Sequence, residues 1–275
     1  MTPRSVEVPG GRLFVVDEGT GPPIILLHAG IADQRSWDAL APLLIVAGYR
    51  TVRYDARGFG GSTTEDVEFS ERADLIAVMD ALGIDRAVLV GNSRGGMLAF
   101  DTAIESPEHV VAVIGVGTGL GGFDGDSTPE EVALFEDYRR VDEADPFDAE
   151  ALTAFEVHIW ADGPGQAAGR AAPAIRELVY AMNLPLNLPD HVAGREIALD
   201  PPASERLAEL RCPVLVVAGT LDFSAVVQVA RHVEAEAPNA RALVWDDVAH
   251  MIGMEVPDRL SQAILEFVRP FGRWS

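Results

Sequence analysis

Residues 86–97 have the sequence RAVLVGNSRGGM. The aliphatic run 87–90 predicts a short buried strand, and the segment 97–104 predicts a helix. Ser93 lies in the sharp turn between them, where a positive φ would point its hydroxyl away from the sheet. The returning chain leaves room only for small residues beside this turn, and those positions hold Gly91, Gly95 and Gly96. The G-x-S-x-G spacing can arise by chance, but strand, turn and helix together favour a nucleophile elbow.

Length and composition indicate a folded globular protein. The 275 residues suffice for one large α/β domain with an insertion, and 48% hydrophobic with 23% charged residues is an ordinary globular composition. The formal charge of −22 disfavours nucleic acid and anionic membranes as partners, because both would repel the chain. The acidic residues are spread along the sequence, so a solvated surface explains them better than a site for cationic substrates.

Cysteine usage and the N-terminal sequence favour a cytoplasmic location. Cys212 is the one cysteine of the sequence, so an intramolecular disulfide is impossible, and we expect a buried thiol. The first five residues do not lead into the apolar stretch of a secretion signal. No apolar run approaches the roughly 18 residues of a membrane span. The oligomeric state is not indicated.

Strand and helix patterns alternate along the chain. The predicted strands are 6–8, 12–17, 24–27, 50–54, 87–90, 110–116, 214–217 and 242–245, and the predicted helices are 36–46, 70–82, 97–104, 224–235 and 257–268. This order predicts an α/β fold with a mostly parallel sheet covered on both faces. Between 117 and about 210 the strand pattern gives way to helical stretches. We expect a helical cap at 123–205 inserted into a core formed by 1–122 and 206–275.

Two further residues complete a candidate catalytic set. A serine hydroxyl needs a base within hydrogen-bond reach, and the base needs a group that orients it. Asp222 follows the strand at 214–217, and His250 follows the strand at 242–245. Loops after parallel strands meet at one edge of the sheet, so Ser93, Asp222 and His250 are expected to converge there. The alternative acids are Asp124, Asp126, Asp246 and Asp247.

Negative charge that develops on a reacting carbonyl oxygen requires fixed donors. The backbone N–H of Arg94, directly after the serine, is one candidate. Gly30, in the loop after the strand at 24–27, is the second, although this loop can also be read as a simple turn. His28 in the same loop is expected to brace it through hydrogen bonds.

These motifs together resemble the α/β-hydrolase fold superfamily. The resemblance spans residues 6–270 apart from the insertion, and its motifs are Leu27-His28-Ala29-Gly30 with Trp37, Tyr54-Asp55-Ala56-Arg57-Gly58-Phe59-Gly60-Gly61-Ser62, Gly91-Asn92-Ser93-Arg94-Gly95-Gly96, Gly219-Thr220-Leu221-Asp222 and Ala249-His250. It implies acyl transfer to water without a cofactor, with Ser93 as nucleophile, His250 as base and Asp222 as the orienting acid. The chain departs from the family at Ala29, where glycine is usual, and at Arg94, whose side chain could reach the substrate pocket.

The resemblance implies a small-molecule substrate, and a small ester or lactone is the first interpretation. Carbon–carbon bond hydrolases, which often carry Gly-Asn-Ser at the elbow, and cofactor-free perhydrolases are alternatives on the same three residues. A non-catalytic binding protein is disfavoured because the set is complete. Epoxide hydrolases and haloalkane dehalogenases carry aspartate where this chain has Ser93.

Two other patterns have simpler interpretations. The glycine pattern at 117–122 fits a dinucleotide fingerprint, but no helix is predicted directly after it, which argues against that function. Aromatic and methionine side chains of the insertion could line an apolar pocket or belong to its core. These residues are Phe155, Trp160, Tyr180 and Met182.

Overall fold

A computed structural model describes residues 3–272 and Trp274. Met1 and Thr2, on which part of the secretion-signal prediction rests, lie outside the described residues. The strands are β1 (Pro3–Val8), β2 (Gly11–Glu18), β3 (Pro23–Leu27), β4 (Arg50–Tyr54), β5 (Thr63–Thr64), β6 (Glu68–Phe69), β7 (Ala87–Asn92), β8 (Val110–Val116), β9 (Arg195–Glu196), β10 (Val214–Gly219) and β11 (Ala240–Trp245). The helices are α1 (Ala41–Val46), α2 (Glu71–Ala81), α3 (Arg94–Glu105), α4 (Pro129–Asp142), α5 (Ala149–Val157), α6 (Pro173–Asn183), α7 (Ser224–Glu236), α8 (Ile252–Glu255) and α9 (Pro257–Val268).

The central sheet has the strand order β1-β2-β4-β3-β7-β8-β10-β11. Strands β1, β2 and β4 pair antiparallel, and every pairing from β4 to β11 is parallel. Every residue of β3, β7 and β10 is buried, as expected for parallel strands covered on both faces. One apolar cluster around Leu89 and Phe100 covers one face, and a second around Trp37 and Ile114 covers the other. The predicted α/β fold with a mostly parallel sheet is therefore confirmed.

The helix predicted at 36–46 is confirmed at 41–46 and is wrong before residue 41. The structure has a short 3-10 helix at Gln34–Trp37 and then α1, with Pro42 in the first turn of α1. Proline has no backbone N–H, and its ring would collide with the carbonyl four residues earlier in a continuous helix. Proline is therefore tolerated only where a helix starts, and the chain bends before it.

The segment between β8 and β10 contains α4, α5 and α6. Thr128 caps α4 and forms a capping box with Glu131. A π-helical turn, His158–Asp162, follows α5 directly. The expectation that this segment has no strand is wrong, because β9 pairs in parallel with β6 in a separate two-stranded sheet. Two residues are too few to show the alternation that reveals a strand in a sequence.

Two smaller findings concern Cys212 and the helices. The Cys212 side chain is buried, as predicted, and burial raises the pKa of its thiol to about 11. Within residues 3–272 and Trp274, no helix is both long enough and apolar enough to cross a membrane.

Candidate active site

Ser93 lies at the turn between β7 and α3. Its backbone has φ 55° and ψ −118°, the positive φ that the motif predicts. The N–H groups of Gly96 and Met97 donate to its carbonyl oxygen at 2.9 and 3.1 Å and so form the first turn of α3. A Cβ atom on Gly91 would lie 2.1 Å from the carbonyl oxygen of Gly95. Only glycine fits at position 91, because the chain returns directly over it.

Asp222 and His250 meet at the carboxyl ends of β10 and β11. The Nδ1 atom of His250 lies 2.7 Å from Oδ2 of Asp222, and both side chains are buried. The other carboxylate oxygen of Asp222 accepts the N–H of Phe223 at 2.8 Å. Because Nδ1–H donates to the carboxylate, Nε2 is left as the nitrogen that can accept a proton.

The structure separates Asp222 from the competing acids. The four alternative acids are all exposed to solvent, and these are Asp124, Asp126, Asp246 and Asp247. Asp222 alone among these five is the hydrogen-bond partner of His250. A buried carboxylate holds an imidazole more firmly than an exposed one, because water does not compete for the bond.

Asn92 is a site residue that the sequence analysis did not identify. Its Nδ2 donates to the carbonyl oxygens of Val116, at 2.8 Å, and His250, at 3.2 Å. The amide therefore ties the loop of His250 to the turn that carries Ser93. The Gly-Asn-Ser sequence was visible, but the two acceptors lie 24 and 158 residues away in the chain.

Gly117, the first glycine of the dinucleotide-like pattern, has a structural role beneath the same site. It has φ +51°, and a Cβ atom there would lie 3.0 Å from the His250 carbonyl oxygen and 3.4 Å from Asp222 Oδ2. The next helix, α4, begins only at Pro129. The pattern therefore reflects close packing around Asp222 and His250, not a phosphate site at a helix N-terminus.

A cavity of about 380 Å³ lies at this edge of the sheet. It is lined by Gly30, Ile31, Ser93, Arg94, Phe135, Tyr138, Glu156, Ile159, Trp160 and His250. The ring centroids of Trp160 and His250 are 4.5 Å apart. This size and mixture of apolar walls with a few polar groups suit a small organic molecule.

Of the four insertion residues that could line a pocket or belong to a core, one lies at this cavity. Trp160 lines the cavity, whereas Phe155 packs against Tyr138. Tyr180 and Met182 belong to an apolar cluster between the insertion and the rest of the chain, which also contains Ala29 and Met251. Phe135 and Tyr138 of α4 line the cavity instead. Helical spacing identifies an apolar stripe, but it does not tell which stripe faces a cavity.

Gly30 and Arg94 both line the cavity that contains Ser93. Arg94 is the first residue of α3, so its N–H has no acceptor within the helix. In the described part of the chain, no backbone acceptor is assigned to the N–H of either residue. Two such donors suit an oxygen atom that becomes negatively charged.

The Arg94 side chain lies between the cavity and α2. Its guanidinium forms an ion pair with Glu71 and lies 4.9 Å from the centroid of the Phe59 ring. Burial lowers the pKa of Arg94. The positive charge at the cavity wall is thus already balanced by Glu71.

His28 braces the loop that carries Gly30. The backbone N–H of Ala56 donates to its Nε2 at 2.9 Å, and its Nδ1 lies 2.8 Å from the carbonyl oxygen of Ala29. This arrangement requires a neutral ring with its proton on Nδ1. Burial, with the nearby Arg94 charge, lowers the pKa of His28 to about 4.

We expect His28 to make stability depend on pH. Its pKa is lower in the folded protein than in the unfolded chain, so its contribution is complete above pH 6.5 and is lost as pH falls towards 4, by about 3 kcal/mol. The pKa of Asp55 is raised by burial to about 6 and acts in the opposite direction over a similar range. Unfolding of the wild type and of His28→Gln by urea at pH 7.5 and 4.2 isolates the His28 effect. A stability difference between the two proteins that does not change with pH would contradict it.

An ion pair connects the insertion to the loop of His250. Arg170 donates to both carboxylate oxygens of Glu255 at 2.6 and 2.9 Å, and to the carbonyl oxygen of Ala161 at 3.1 Å. Glu255 also accepts the N–H of Ala249, next to His250, at 3.0 Å. Arg170 therefore holds the π-helical turn of the insertion against the residue that precedes His250.

Replacing Arg170 by methionine is expected to lower kcat about tenfold, because a small displacement of His250, the base predicted from the sequence, would weaken proton transfer. Steady-state kinetics measure this effect, and Arg170→Lys should recover part of it. The matched control is Arg140→Met, since Arg140 forms an exposed pair with Asp137 and should change neither kcat nor KM. An Arg170→Met enzyme with wild-type kcat would show that the ion pair does not position the loop.

A family profile described as "alpha/beta hydrolase fold" matches residues 22–257. The 2-hydroxy-6-oxo-6-phenylhexa-2,4-dienoate hydrolase of Burkholderia cepacia is 30% identical over 94% of this chain and 91% of its own length. Bifunctional epoxide hydrolase 2 of Sus scrofa is 33% identical, but over only 45% of this chain and 23% of its own length.

Solved structures agree in fold. Est816, described as an N-acyl homoserine lactone degrading enzyme, has a TM-score of 0.74 and 26% identity, covering 96% of this chain and 100% of its own. The esterase RhEst1 from Rhodococcus sp. ECU1013 has a TM-score of 0.75 and 26% identity, covering 99% of this chain and 100% of its own.

Proposed function

The chain belongs to the alpha/beta hydrolase fold family, and from this premise we propose that it is a serine hydrolase of small carboxylic esters or lactones. The observation that carries the proposal is the buried Asp222–His250 pair, at 2.7 Å, beside a cavity that also contains Ser93. The names of Est816 and RhEst1 support the same substrate classes.

The proposed reaction proceeds through an acyl-enzyme. His250 Nε2 takes the proton of the Ser93 hydroxyl as its oxygen attacks the carbonyl carbon. The backbone N–H groups of Gly30 and Arg94 stabilise the resulting oxyanion. His250 then protonates the departing alcohol oxygen. It next takes a proton from a water molecule that attacks the acyl carbon, and returns this proton to the Ser93 oxygen as the acyl–serine bond breaks and the acid is released. Asp222 holds the ring with Nε2 towards Ser93 and stabilises its charged form.

We also propose that 123–205 is a cap on a core formed by 1–122 and 206–275. Phe135, Tyr138 and Trp160 of the insertion form one wall of the cavity. Ser93 and His250 belong to the proposed core. The insertion would therefore determine the substrate, while the core performs the chemistry. The cytoplasmic location stays a prediction from the sequence.

Carbon–carbon bond hydrolysis is the second candidate, and the Burkholderia cepacia relative favours it. The substrate in that relative's name is a carboxylate anion. Here the Arg94 charge is balanced by Glu71, and a second carboxylate, Glu156, lines the cavity. An anionic substrate would thus be poorly matched, which favours a neutral ester or lactone. A cofactor-free perhydrolase would use the same three residues.

A substrate panel tests the proposal. We expect turnover of short p-nitrophenyl esters and of simple lactones, and at least 100-fold lower kcat/KM for a vinylogous diketone carrying a carboxylate. Faster cleavage of the diketone would select the carbon–carbon hydrolase. No turnover of any ester, lactone or diketone would contradict both candidates.

A further inference from the structure

Glu156 of α5 is a buried carboxylate at the cavity wall. It is 7% exposed and lines the same cavity as Ser93 and His250. Its Oε1 accepts the hydroxyl of Tyr138 at 3.0 Å, and its Oε2 accepts the side-chain amides of Asn183 and Asn187 at 2.7 and 2.6 Å. These three hydrogen bonds hold the carboxylate in place at the cavity wall.

Glu156 and Tyr138 can each accept a further hydrogen bond. A carboxylate offers about four lone-pair positions, and three described donors occupy Glu156. Tyr138 uses its hydroxyl hydrogen on Glu156, so its oxygen can still accept a hydrogen bond. Both residues line the cavity. The cavity therefore offers a bound molecule two hydrogen-bond acceptors, the Glu156 carboxylate and the Tyr138 oxygen.

The surrounding charges do not neutralise Glu156. Of the described residues that line the cavity, Arg94 is the cation, and its guanidinium is paired with Glu71. The three donors on Glu156 are uncharged groups. The formal charge of the whole chain, −22, also attracts cations and repels anions at long range.

We propose that Glu156, together with Tyr138, selects esters or lactones that carry a hydrogen-bond donor away from the scissile carbonyl, with an ammonium group bound best. The proposal rests on the proposed function of the cavity and names its substrate class. A hydroxyl donates one neutral hydrogen bond to the pair, whereas an ammonium group donates a charge-assisted one. A carboxylate on the substrate meets a buried charge of its own sign and is rejected.

The competing interpretation is that Glu156 only connects helices. Its partners come from α4, from the end of α6 and from the turn after it, so the carboxylate certainly joins these elements. A purely structural residue would change stability and the rates for all substrates alike. It would not change the ratio of rates between substrates of different charge.

The test compares esters of similar length that differ in the group at one end. The first series varies the alcohol and consists of butyl acetate, 3-hydroxypropyl acetate, 3-(dimethylammonio)propyl acetate and 4-acetoxybutanoate. The second series varies the acid and consists of methyl esters of pentanoic acids that carry the same methyl, hydroxyl, ammonium or carboxylate group at the far end. In at least one series, we expect wild-type kcat/KM to rank ammonium above hydroxyl, methyl and carboxylate. The ammonium to carboxylate ratio should be about 100 or more, and Glu156→Gln should reduce it at least tenfold.

Glu150→Gln is the matched control, because Glu150 lies on the same helix, is exposed and changes the net charge equally. The ammonium to carboxylate ratio of Glu150→Gln should stay within twofold of the wild-type ratio. If Glu156→Gln does not fold, Tyr138→Phe is the second test of the inference. This variant keeps the Glu156 carboxylate and frees the lone-pair position that the tyrosine hydroxyl occupies. The ammonium to methyl ratio should then rise above the wild-type value, because an ammonium group can occupy the freed position, whereas a Glu156 that only connects helices would leave the ratio unchanged.

Three results would overturn the inference. They are equal wild-type rates for the carboxylate and methyl esters in both series, an unchanged ammonium to carboxylate ratio in Glu156→Gln, and an ammonium to methyl ratio in Tyr138→Phe that is unchanged or lower. Turnover of the neutral esters in the same assay shows that the proposed hydrolase activity survives such a result. Absence of turnover for every ester, with Ser93 unreactive towards a fluorophosphonate, would instead contradict the proposed function itself.

Discussion

Ser93→Ala is expected to lower kcat for ester hydrolysis by about 10⁴- to 10⁶-fold, with little change in KM. The variant retains the cavity, the backbone donors of Gly30 and Arg94, and the Asp222–His250 pair. It lacks only the oxygen that we propose attacks the carbonyl carbon. Alanine is smaller than serine and can adopt the same backbone at modest cost, so the variant should fold.

Covalent labelling provides the second measurement for Ser93. A fluorophosphonate should add one phosphonyl group to the wild type, detectable by mass spectrometry, and none to Ser93→Ala. Ser127→Ala is the control, since Ser127 is exposed in the loop before α4, and it should label and turn over like the wild type. A Ser93→Ala protein that still labels, or that keeps wild-type kcat, would contradict the proposed nucleophile.

Gly91→Ala is expected to destabilise the protein by about 3–5 kcal/mol, or to prevent folding. The added Cβ atom would lie 2.1 Å from the carbonyl oxygen and 2.2 Å from the carbonyl carbon of Gly95. Both are backbone atoms, so α3 would have to move away from β7. The free energy of unfolding from urea denaturation measures the effect where the variant folds, and soluble yield measures it where it does not.

Gly83→Ala is the comparison that isolates the collision. Gly83 has φ +64°, but a Cβ atom there meets nothing within 4 Å. Its replacement should cost about 1–2 kcal/mol from the backbone conformation alone. Equal losses for Gly91→Ala and Gly83→Ala would show that close approach of α3 is not what requires glycine at position 91.

The fold was largely predictable because its signals are local. Buried parallel strands such as 24–27 and 214–217 are continuous apolar runs, and the start of α4 is marked by its capping box. The β6–β9 pairing was missed because each strand has two residues, separated by more than a hundred positions. The helix at 36–46 was misjudged because Pro42 was not weighed against the apolar pattern.

The site was predictable where position along the sheet determines it. Asp222 and His250 follow parallel strands, so the edge of the sheet brings them together. Asn92 and Glu156 were missed because their importance depends on partners from distant elements. Phe135 and Tyr138 were missed because the packing of α4 against the core is not encoded in its own periodicity.

The Arg170–Glu255 pair limits how freely this enzyme can be re-engineered. Exchanging the insertion for that of another hydrolase would introduce a new substrate pocket but remove the arginine that fixes the residue before His250. A chimera that bound its new substrate well would then turn it over slowly. Grafts that retain an arginine at this point should preserve the catalytic rate while the specificity changes.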